Sequence, residues 1–163
     1  MSDSISVVLN ALASEFSDIS DLDELTRVTV RLLLAAALGA WLGYNRERTG
    51  KSAGLRTHML VAMGSALFVL VPQFAGMQIA DLSRVIQGVV TGIGFLGAGT
   101  IIKHRNADEI KGLTTAASIF MTSAIGIACG LGSEITAAVA TLLAWLVLGA
   151  MNRLVDVQPK KPD

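Results

Sequence analysis

The chain has 163 residues, 52% of them hydrophobic and only 16% charged, and its formal net charge at pH 7 is zero. A mean hydropathy of +0.59 is too apolar for an ordinary soluble domain, and no nucleic-acid partner is expected of it. The lone cysteine, Cys129, excludes an internal disulfide and cannot by itself make a metal site.

Residues 1–26 hold six acids (Asp3, Glu15, Asp18, Asp21, Asp23 and Glu24) and no base. Without a basic n-region, no cleavable signal peptide is expected, and the first span acts as the insertion signal. Ile5, Val8, Leu9, Leu12 and Phe16 recur at helical spacing. This external segment therefore reads as a short helix, Ser4 to Phe16, lying on the membrane surface, with a loosely ordered terminus as the alternative.

Windows of about twenty apolar residues predict an all-α, polytopic membrane bundle of about five spans within residues 27–155. The spans are Arg27 to Tyr44, Leu55 to Phe74, Val85 to Lys103, Leu113 to Gly132 and Ile135 to Leu154. Arg31 lies one turn inside the first, and Asp81, Arg84 and Gln87 approach the third from the same side. A charge in that position needs a partner, which predicts an Arg31–Asp81 pair completed by Arg84 and Gln87; snorkelling of both arginines to headgroups is the alternative.

Arg46, Arg48, Lys51 and Arg56 fall between the first two spans, Lys103, Arg105 and Lys111 between the third and fourth, and Arg153, Lys160 and Lys161 after the fifth. The positive-inside rule puts all three on the cytoplasmic side, so the N-terminus is outside and the tail, residues 156–163, cytoplasmic.

Small residues recur every fourth position: Ala35, Gly39 and Gly43; Gly88 and Gly92; Ala124 and Ala128; Gly126 and Gly130. In lipid such stripes let helices approach closely, and a homodimer is one use for them. With Gly94, Gly97 and Gly99 the third span is glycine-dense, which suggests a broken or closely packed helix. Gly92-x-Gly94-x-x-Gly97 matches a dinucleotide fingerprint, but it stands in an apolar span with no strand before it, so it is no cofactor site and no cofactor is expected.

A shift of 58 positions superposes nine identities between 31–70 and 89–128, among them Gly54-Leu55-x-Thr57 on Gly112-Leu113-x-Thr115 and Ser65 on Ser123. It predicts two parallel hairpins related by an axis along the membrane normal. Both returning helices then start at the cytoplasmic face, where Arg56, Thr57, His58, Thr114 and Thr115 would favour an anion or a partner. The plainer reading is that Thr57 and Thr115 satisfy local backbone groups and Arg56 snorkels.

Span interiors carry no carboxylate for a magnesium path, and His58 and His104 lack a Cys or carboxylate cluster. No serine sits in a nucleophile elbow, so neither a metal centre nor an enzyme is expected.

Arg46-Glu47-Arg48, Ala53-Gly54-Leu55-Arg56-Thr57-His58, Gly64-Ser65-Ala66-Leu67-Phe68, Gly92-Ile93-Gly94-Phe95-Leu96-Gly97-Ala98-Gly99 and Gly112-Leu113-Thr114-Thr115-Ala116-Ala117 resemble the membrane domain of the MgtC/SapB family. The resemblance runs from about Arg27 to Leu154 and lacks the soluble C-terminal domain of longer members. It implies a multi-pass bacterial inner-membrane protein tied to low magnesium or survival inside host cells, and a regulator of other membrane proteins. The competing reading is a small ion or solute channel or transporter, with a path between the two hairpins from Arg31, Asp81, Arg84 and Gln87 to Arg56, Thr57, Thr114 and Thr115.

Overall fold

The computed structural model describes residues 2–15, 21–103 and 110–155, with side chains over 5–15, 21–101 and 110–149. Phe16, Arg105, Lys160 and Lys161 lie outside the described residues, as does the Arg153 side chain. The chain divides into two units, 1–30 and 31–163.

In the first unit, α1 (Ser2–Glu15) leaves Ile5, Val8, Leu9 and Leu12 exposed along the predicted stripe. The helix α2 (Leu22–Arg48) begins in this unit and continues into the second, starting five residues before the predicted span and ending four after it. Hydropathy marked only the apolar middle of the helix. Asp23 and Glu24 in its first turn and Arg46 and Arg48 in its last match the helix dipole, so both polar ends stay helical.

The helix α3 (Leu55–Phe74) occupies the predicted span. Its neighbour α4 (Ile79–Gly99) starts six residues earlier than predicted and stops four sooner. It is unbroken despite its glycines. Thr100 ends it, its backbone N–H and its hydroxyl both donating to the Gly97 carbonyl at 3.0 and 2.8 Å. Lys103, predicted helical, belongs instead to β1 (Ile102–Lys103), which pairs antiparallel with β2 (Ile110–Lys111), Ile102 opposite Lys111.

Gly112 then turns the chain into α5 (Leu113–Leu131) with φ of 100°, and a Cβ there would run into the Thr100 carbonyl. Gly112→Ala is accordingly expected to cost about 2 kcal/mol, seen as a lower melting temperature in detergent; unchanged melting would show that the turn relaxes without strain. Gly132, also left-handed at φ 79°, closes α5, and α6 (Glu134–Val155) covers the fifth expected span.

The helices α2 to α5 are long and apolar enough to cross a membrane, and the described side chains of α6 give a shorter apolar stretch to Gly149. α5 is the central helix and α4 the peripheral one, with 56% and 6% of their apolar windows buried. Ala35, Leu38 and Leu42 of α2, Ala62 and Ala66 of α3, Ile125 and Cys129 of α5, and Ala137 of α6 form the largest core cluster. Trp41 and Trp145 pair at 6.3 Å between α2 and α6. Large apolar side chains such as Phe95, Leu60, Phe68 and Val147 point outward, the pattern expected where the solvent is lipid.

The 58-residue offset reappears in the packing. Val61 and Ile119 share one core cluster, Ser65 and Ser123 hydrogen-bond at 2.7 Å, and Val69 and Ile127 share another cluster. These three pairs climb α3 and α5 in steps of four residues, as expected when equivalent residues of parallel helices meet along a twofold axis. The flanking helices follow the same shift: a Cβ on Gly39 would meet His58, and one on Gly97 would meet Ala116.

Candidate functional site

A polar seam runs along the α3–α5 contact. His58, Ser65, Thr115, Ser118, Thr122 and Ser123 are all buried. Thr122 donates back to the Ser118 carbonyl at 2.8 Å, so its hydroxyl is spent within its own helix. His58 lies between Gly54 O and Ser118 Oγ, at 2.9 Å from Nδ1 and 3.2 Å from Nε2. The Nδ1–H tautomer donates to the Gly54 carbonyl, while the single Ser118 hydroxyl proton is shared between His58 Nε2 and the Thr115 carbonyl, 2.8 Å from Ser118 Oγ. With these partners the seam behaves as interhelical glue between closely packed backbones.

The residues predicted to gather at the two helix starts divide between two environments. His58 and Thr115 turn into the bundle, whereas Arg56 and Thr114 are exposed and Thr57 is half-buried. Arg56 therefore does not sharpen an inward site. Arg46 does: it is only 1% exposed, and its Nη2 donates to Thr115 Oγ1 at 3.3 Å. Among the described residues, the buried side-chain polar atoms left without a hydrogen bond are Arg46 Nε and Asn45 Oδ1.

The two helix starts also differ in capping. Glu47 Oε2 accepts the Leu55 N–H at 2.7 Å, so a carboxylate occupies the first free amide of α3. Among the described residues no side chain does this for α5. A cavity of about 620 Å³ opens there instead, lined by Arg46, Lys51, Thr100, Lys111 and the first residues of α5.

At the opposite end Arg31 does not pair with Asp81. Its Nη1 donates to Gln73 Oε1 at 3.2 Å and to the Gly130 carbonyl at 3.0 Å, and its Nε lies 3.7 Å from Glu134 Oε1. The reason is helix polarity: Arg31 goes to the negative C-terminal end of α5, while Asp81 sits in the positive first turn of α4. Asp81, Arg84 and Gln87 are exposed there and do not complete a cluster around Arg31.

The glycines divide in the same way. A Cβ on Gly39 would lie 2.6 Å from the His58 carbonyl and one on Gly43 2.7 Å from Leu55 Cα, so both are tight contacts. Gly97 makes ordinary contact with Ala116, at 3.5 Å. Gly88, Gly92, Gly94 and Gly99 meet nothing within 4 Å, contrary to their expected packing role, because α4 turns Leu82, Val85, Ile86, Val89 and Ile93 inward instead. An apolar groove of about 530 Å³ follows α3 and α4, with Gly64, Phe68, Gly88 and Gly92 among its lining.

Arg46, Glu47, Gln73 and Glu134 are the functional neighbours that sequence reasoning missed. Arg46 and Glu47 carry a signal, since they lie between a span end and a Gly-Leu-x-Thr helix start, but Arg46 enters the sequence reading as a topology marker and both enter it as part of the family resemblance, not as site residues.

Residues 32–157 match the family model of the MgtC family. The protein SrpB of Synechococcus elongatus is 44% identical over 140 residues, covering 78% of this chain and 76% of that protein. YhiD of Escherichia coli K12, whose name puts it forward as a magnesium transporter, is 42% identical over 132 residues, covering 77% of this chain and 60% of YhiD. The protein MgtC of Brucella abortus is 42% identical over 125 residues, covering 76% of this chain and 50% of its own length. The chain thus spans from half to about three quarters of these relatives. No solved structure gives a significant match.

Proposed function

Because the chain belongs to the MgtC family, we propose that it is a multi-pass regulator of another protein in the bacterial inner membrane, working by helix contact in adaptation to low magnesium or to life inside host cells. The observation that carries this reading is the open groove along α3 and α4. Gly64, Gly88 and Gly92 line it with nothing within 4 Å of their Cβ positions, so the backbone of a further transmembrane helix can come close. Magnesium enters through the name of YhiD.

The reading includes no catalytic step. A transport reading needs a wet path, and the polar side chains of the α3–α5 seam instead bond to one another or to their own helices. The positive-inside rule supports a cytoplasmic location for the end that bears Arg46, Arg48, Lys51 and Lys111, with the N-terminus outside.

The double variant Gly88→Leu/Gly92→Leu fills the groove without touching the core. It is expected to insert and melt like wild type yet lose complementation of a deletion strain at low magnesium. Reconstituted wild-type protein should pass no magnesium in a dye-loaded liposome assay. Saturable magnesium flux, or full complementation by the double variant, would replace the regulatory reading with transport or with another surface.

A further inference from the structure

We propose that the cavity at the start of α5 binds a phosphate-type oxyanion, held by Arg46, Lys51, Lys111 and the free backbone amides of Leu113 to Thr115. This site is independent of the partner-helix reading, because it lies at the helix ends and not along the α3–α4 groove.

The first support is Arg46. The residue is withdrawn from solvent to 1% exposure, with the neutral Thr115 hydroxyl as its hydrogen-bond partner and Nε unpaired. An arginine buried in this way is costly unless an anion joins it, and it lines the cavity. Lys51 and Lys111 line the same space, and no acid does so among the described residues.

The second support comes from the repeat. Where Gly54 opens α3, Glu47 places a carboxylate oxygen 2.7 Å from the first helical amide. The molecule therefore already seats an oxyanion at one of its two related helix starts. At the other, Gly112 opens α5 with no such cap among the described residues, and the residue 58 positions after Glu47 is Arg105. An external anion takes the place that Glu47 fills internally, and planar guanidinium with helix amides is a phosphate-binding chemistry. About 620 Å³ leaves room for a substituent on the phosphate, so a soluble phosphate and a phospholipid headgroup both fit.

The test uses the full chain in nanodiscs. One arm titrates inorganic pyrophosphate into phosphatidylcholine nanodiscs, with sulfate and chloride at matched ionic strength; the other replaces phosphatidylcholine stepwise with phosphatidylglycerol. A saturable rise in melting temperature in the first arm identifies a soluble ligand, and one in the second, blocking pyrophosphate, identifies a headgroup. Lys51→Gln/Lys111→Gln, which alters only exposed positions, is expected to weaken the response about tenfold, and Arg46→Gln at least as much where it folds. No saturable response in either arm, or an undiminished response in the lysine double variant, would overturn the proposal.

Discussion

Gly126→Ala is expected to melt well below the wild-type protein, while Gly64→Ala melts with it or slightly above. Both changes add one methyl group to a membrane helix and both favour helix over coil, by up to about 1 kcal/mol. They differ in what the methyl meets. A Cβ on Gly126 would overlap the Ala62 carbonyl oxygen and approach Ala62 C and Cα to 2.9 Å, all backbone atoms that cannot turn aside. A Cβ on Gly64 meets nothing within 4 Å. To admit the first methyl, α5 must back away from α3, and that movement stretches the 2.7 Å Ser65–Ser123 bond and loosens the two clusters on either side of it. The expected loss is about 3 kcal/mol, at the upper end for overpacking because a whole helix pair has to move. Thermal unfolding in detergent, followed by circular dichroism, compares the three proteins. Equal melting of Gly126→Ala and wild type would mean that α3 and α5 do not stand so close.

The same contact shows what sequence could and could not reveal. Hydropathy located the four helices long enough to cross a membrane and the shorter apolar stretch of α6, and it set both ends of α3 because Gly54 and the turn after Phe74 bound an apolar run closely. It missed both ends of α2 and the start of α4, where charged and polar residues continue the helix beyond the bilayer-length window, and it overran the end of α4, where Thr100 stops the helix. The 58-residue shift aligns Ser65 with Ser123, and those two serines meet. Azimuth was not legible. A run such as Gly88 to Gly99 is apolar on all sides, so nothing in it says which glycines face protein, and only Gly97 does. Arg46 likewise reads as a boundary charge, since the partner it meets on turning inward, Thr115, is more than sixty positions away.

The largest electrostatic effect is expected at Arg31, where the sequence suggested one acid and the structure supplies another. The end of α5 explains why. Gly132 donates its N–H to Cys129 O and Ser133 donates to Ala128 O, which caps two of the terminal carbonyls and leaves that of Gly130 to an outside donor. Arg31 is that donor, at 3.0 Å, and it also ties in Gln73 from the end of α3. A residue in α2 thus closes the ends of two other helices. Arg31→Met keeps the apolar stem but removes these bonds, at an expected cost of about 2 kcal/mol. The ion pair adds less, because Glu134 is 44% exposed and stands 3.7 Å away. A double-mutant cycle of Arg31→Met with Glu134→Gln should therefore give a coupling of about 0.5 kcal/mol, while the cycle with Asp81→Asn should be additive. Coupling to Asp81 with none to Glu134 would restore the pairing read from sequence and move Arg31 off the end of α5.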